Sequence, residues 1–101
     1  MPRAYTVERV EERVPIEVAV HLCGDGRTPG VEGAFTENVS ARGARVISAR
    51  RWRRNDLLML ASAPGDFHTV ARVAYCQPRQ GEGFAIGLEF LESAGIWVVH
   101  S

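Results

Sequence analysis

The chain has 101 residues and 46% hydrophobic content, enough for one small core and therefore one domain. Its 12 basic residues, all arginine, are matched by 12 acids. That balance excludes broad electrostatic capture of DNA, RNA or a membrane surface, so any anion site must be local. Two cysteines without a CxxC partner exclude a redox motif or thiolate metal cage on spacing, and no apolar run approaches the roughly 20 residues of a bilayer span. With no secretory apolar region near the N-terminus, a cytoplasmic location is expected.

Residues Met1 to Glu12 are polar and charged and do not alternate long enough to specify a strand. Arg9 and Arg13 bracket Val10, Glu11 and Glu12. In a helix the two arginines lie one turn apart; in an extended chain they share a face, so either geometry makes a fork, unless they only pair with the neighbouring glutamates in a charged tail. From Val14 the pattern alternates: Val14, Ile16, Val18 and Val20 are predicted to face inward along one strand, with Pro15 at its start. Gly24 to Gly30 reads as a turn, and a second strand runs from Val31 into Asn38.

The stretch Asn38-Val39-Ser40-Ala41-Arg42-Gly43 then changes from alternation to turn chemistry. Asn38 and Ser40, two apart, are expected on one face, and Gly43 is expected to take positive φ and turn the chain back. The polar pair either caps its own backbone or forms a small shelf of hydrogen-bonding groups. A short strand follows to about Ser48, another spans Leu57 to Ala61, and the longest places Phe67, Thr69, Ala71, Val73 and Tyr75 on one face. Phe84, Ile86, Leu88 and Phe90 form the last apolar face. Six strands separated by turn signals predict an all-β, antiparallel barrel or sandwich.

Arg9 and Arg13 in an RxxxR pattern, followed by Asn38, Ser40 and Gly43 in an NxSxxG pattern, resemble the paired signature of PilZ domains. The similarity extends to Arg13-Val14-Pro15 entering a strand, to the Asn55-Asp56 turn before Leu57, and to Phe84 through Phe90. The resemblance implies a bacterial six-stranded antiparallel β-barrel that binds cyclic di-GMP and needs no cofactor. It implies that Arg9 and Arg13 grip guanine edges and phosphates, that Asn38 and Ser40 add hydrogen bonds, and that Gly43 shapes the turn. Residues 1–13 would then be a flexible N-terminal arm, 14–90 the barrel and 91–101 a C-terminal tail with little or no helix. The implied function is a receptor or adaptor that passes the signal to an unidentified effector protein, with no DNA or RNA as partner, no membrane insertion, and a homodimer left open. The alternative is an interaction adaptor of the same fold that does not bind the nucleotide.

Other features read more plainly. Ile96 to Val99 is an apolar run fit to pair with a strand, cover the barrel end or meet another subunit. Arg50-Arg51-Trp52-Arg53-Arg54 suggests either a solvated loop with a buried indole or a strand-binding platform for nucleic acid, and the neutral charge favours the loop. His21, His68 and His100 are scattered and form no catalytic or metal signature with Cys23 or Cys76, so no enzyme is expected.

Overall fold

A computed structural model of the protein describes residues 12–24 and 30–99. The strands are β1 (Ala19–Cys23), β2 (Val31–Ser40), β3 (Gly43–Ser48), β4 (Leu57–Ser62), β5 (Phe67–Pro78) and β6 (Phe84–Gly95). They pair antiparallel throughout and close into a barrel in the order β1-β2-β3-β6-β5-β4. Closure follows from the pattern: six strands with one apolar face each can bury all six faces on a common axis and leave no unpaired edge.

The interior is filled by period-two residues from every strand, with Leu22, Leu58, Leu60 and Ile86 the largest fully buried side chains. Two tryptophans close the opposite ends of β3. Beyond Ser48, the Trp52 indole is buried and donates to Ser48 Oγ at 3.1 Å. Beside Gly43, the Trp97 indole donates to the Ser40 carbonyl at 2.8 Å and packs on Phe67 and Phe90 at centroid distances of 4.7 and 5.3 Å. Of the three fates open to the Ile96–Val99 run, covering the barrel end is the one Trp97 takes, while Ile96 and Val98 remain exposed. No helix occurs among the described residues, and β6 continues to Gly95, five residues past the expected end of the barrel at Phe90.

The expected strand from Val14 is shorter than its alternation suggests. Val14 makes only an isolated bridge to Val39, with reciprocal backbone bonds of 2.8 and 2.9 Å, and β1 begins at Ala19. Pro15 has no N–H to donate, so the ladder cannot continue through it. Thr36 replaces the missing ladder: its hydroxyl donates to the Ile16 carbonyl at 2.7 Å and accepts from the Val18 N–H at 2.8 Å.

Candidate functional site

Two β-bulges decide which residues reach the outside of the barrel. In β2, Ala34 and Thr36 face inward, but the pairing with β3 shifts between Thr36 and Asn38 and leaves Glu37 as the extra residue. Inward parity therefore passes from even to odd numbers: Val39 is fully buried and Asn38 is not. In β5 the pairing shifts between Val73 and Tyr75, with Ala74 extra. A regular strand would send Tyr75 into the interior beside Val73, as the alternation predicted. The bulge instead turns Tyr75 out to the Arg45 side chain.

The consequence is a row of residues across four strands. Asn38 pairs with Arg45, Arg45 with Gly87, and Gly87 with Tyr75, a span of about 14 Å at roughly 4.8 Å per strand. Gly87 is essential to it, because a Cβ there would overlap the Tyr75 ring. With that position empty the phenol lies across β6 and its hydroxyl accepts from Arg45 Nη1 at 2.9 Å. Arg45 Nε donates to Glu37 Oε1 at 2.6 Å. The Tyr75 hydroxyl, and after it the Glu37 carboxylate, hold the Arg45 guanidinium above its ordinary pKa, so Arg45 is a fixed, oriented cation.

At the other end of the row, Arg13 Nη1 donates to Asn38 Oδ1 at 2.8 Å. The two sequence motifs, 25 residues apart, thus meet. The cause is the antiparallel Val14–Val39 bridge, which puts Arg13 across from Ser40, two residues from Asn38 and within reach of the long arginine side chain. Arg9 lies outside the described residues.

Ser40 and Gly43 are placed differently from expectation. Ser40, two residues on from Asn38 in an unbroken register, is 0% exposed; its hydroxyl lies 3.4 Å from the Gly43 carbonyl and its own carbonyl is taken by Trp97. Gly43 is not in the positive-φ region. The turn falls on Ala41 and Arg42, and Gly43 already pairs with Glu89 in the β3–β6 ladder. Glycine is required there by proximity: an added Cβ would overlap the Leu88 carbonyl oxygen. Sequence reasoning missed Arg45 and Tyr75 altogether. The only signal for them was Gly87, an isolated glycine inside a strong strand pattern, which marks a close approach by another group.

Two other clusters complete the surface. His21 and His68 flank Ala61 on neighbouring strands and, with Cys23 and Met59, line an apolar groove of about 350 Å³. Among the described residues no group of three or more His, Cys, Asp or Glu is arranged to hold a metal ion. The arginine loop between β3 and β4 buries Trp52 and exposes Arg51, Arg53 and Arg54. No helix among the described residues is long and apolar enough to cross a membrane.

No curated protein matches the chain. The family model of the PilZ domain, however, matches residues 8–95, a stretch that contains both motifs, all six strands and the Arg13–Asn38 contact, and the chain belongs to the PilZ domain family.

Proposed function

We propose that the protein is a cyclic di-GMP receptor of the bacterial cytoplasm, not an enzyme, which passes the signal to an effector protein. The observation that carries this reading is the Arg13–Asn38 hydrogen bond, since it joins the two halves of the signature at one end of an oriented polar row. Guanine presents O6 and N7 as adjacent acceptors, which a guanidinium fork meets with two parallel bonds. Arg13 presents one such fork, and a second is assigned to Arg9. Asn38 offers both a donor and an acceptor, and Arg45 a second fixed cation for phosphate. Ser40 and Gly43 contribute by closing the β2–β3 turn that follows Asn38.

Calorimetric titration with cyclic di-GMP, with cyclic di-AMP as the control, tests the reading. Binding is expected for cyclic di-GMP, weakened by about 2 kcal/mol in Arg9→Ala, Arg13→Ala or Asn38→Ala, because each removes charge-assisted or bidentate hydrogen bonds. Lysine at position 13 keeps the charge without the fork and should restore little. Hydrogen exchange should slow jointly around Arg9–Arg13 and Asn38–Gly43 when ligand is added. Absence of binding heat, with protection of these segments only by a partner protein, would leave a contact-only adaptor of the same fold.

A further inference from the structure

We propose that the protein carries a second anion site beside the Asn38 row, which it meets at Tyr75, in the cleft between the β3–β4 loop and that ring, and that it takes the phosphates of a small nucleotide. The cleft has a volume of about 730 Å³ and is lined by Arg51, Trp52, Arg53, Arg54, Tyr75 and Cys76. That is within the roughly 300–1,000 Å³ of small-molecule sites. The proposal stands whether or not the Asn38 row binds cyclic di-GMP.

Charge segregation is the first argument. Although the chain is neutral overall, the acids near this loop are already engaged. Glu32 holds Ser48 and Arg50, Glu89 holds Arg72, Glu37 holds Arg45, and the Asp56 carboxylate accepts from the Arg53 backbone N–H. Arg50 is spent internally, its guanidinium 4.9 Å from the Trp52 ring. Arg51, Arg53 and Arg54 are exposed, and their guanidiniums make no hydrogen bond or ion pair among the described residues. The Asp56 carboxylate at the loop's close offsets part of this charge, but the three cations outnumber it around one cleft, repel each other and are relieved by an anion.

Rigidity is the second. A flexible arginine loop would lose much of its binding energy in ordering, but this one is pinned at its centre and at its close. Trp52 anchors its centre in the barrel end. At its close, Asn55 N–H donates to the Val73 carbonyl at 2.7 Å, Val73 N–H to the Asp56 carbonyl at 2.9 Å, and Arg72 Nη1 to Asn55 Oδ1 at 2.7 Å. Asn55 takes φ of 75°, a left-handed conformation that asparagine tolerates, to make this turn. The guanidiniums are therefore presented from a fixed base against an aromatic wall. An aromatic wall beside a phosphate site suits a nucleotide, whose base can lie on the Tyr75 ring while its phosphates meet the arginines. The neutral overall charge disfavours a long strand, which needs an extended basic track.

The test is arginine Nε–Hε nuclear magnetic resonance on the full chain, titrated with GTP, ATP, tripolyphosphate and a short single-stranded oligonucleotide. Both triphosphates should shift the Arg51, Arg53 and Arg54 signals, and tripolyphosphate should do so more weakly. The combined Arg51→Gln, Arg53→Gln, Arg54→Gln variant should bind GTP about tenfold or more weakly, a loss of about 1.4 kcal/mol or more. Because those side chains hold nothing else among the described residues, its melting temperature should be unchanged, and a parallel melt checks that. Tyr75→Leu should weaken GTP and leave tripolyphosphate unaffected. Arg13→Lys should leave both unaffected, which separates this cleft from the Asn38 row. Equal GTP affinity in wild type and the triple variant, shifts confined to Arg13 and Arg45, or binding of the oligonucleotide with GTP ignored would each overturn the proposal.

Discussion

Replacing Gly43 with alanine probes the packing that holds the Asn38 turn. The added Cβ would overlap the Leu88 carbonyl oxygen, which belongs to the backbone of β6 and cannot rotate aside. Ala44 pairs with Leu88 and Gly43 with Glu89, so β3 and β6 must part just where the turn is anchored. Overpacking of this kind costs about 1–3 kcal/mol, and weakening one backbone hydrogen bond adds about 0.5–1.5 kcal/mol. The sum, about 1.5–4.5 kcal/mol, corresponds to a fall in melting temperature of roughly 6–36 °C for a domain of this size. The matched control is Gly33→Ala in β2, where an added Cβ meets nothing within 4 Å. That change should alter stability by no more than about 0.5–1 kcal/mol, with stabilisation the expected sign. Urea unfolding followed by tryptophan fluorescence reads both, because Trp52 and Trp97 are buried at the two barrel ends. If Gly43→Ala melted within about 2 °C of the wild type, the close approach of β3 to β6 would not be the reason for glycine.

Trp97→Ala should destabilise the domain by about 3–5 kcal/mol, seen in the urea midpoint, because it removes the ring packed between Phe67 and Phe90. Trp97→Phe should retain most of the packing yet lose about 1–3 kcal/mol by leaving the Ser40 carbonyl without its indole donor. Thr36→Val, nearly isosteric, should cost about 1–3 kcal/mol and speed amide exchange at Val18, whose N–H loses its acceptor. Glu37→Gln removes the carboxylate that pairs with Arg45 and should tighten cyclic di-GMP binding in calorimetry if Arg45 meets phosphate; weaker binding would show that Glu37 orients Arg45 and does not compete for it.

The strands, their antiparallel pairing and the single core were legible in the sequence because period-two alternation in residues 14–20, 67–75 and 84–90, with turn signals between the strands, leaves few ways to bury so many apolar faces in so short a chain. The polar signature was legible too, since Arg13 and Asn38 are recognised by spacing and the Val14–Val39 bridge then places them together. What alternation cannot register is a single extra residue. The bulges at Glu37 and Ala74 reverse side-chain parity, burying Val39 and releasing Tyr75 to the surface, and a bulge is decided by the partner strand and not by the strand's own sequence. The same holds for Gly43 and Gly87, whose roles come from atoms of β6 and β5 that approach only when the barrel closes. Closure likewise set charge against charge: 12 arginines and 12 acids cancel along the chain, yet folding engages the nearby acids elsewhere and leaves Arg51, Arg53 and Arg54 together around one cleft. Sequence sums charge, whereas Coulomb's law depends on the distances that only the tertiary structure supplies.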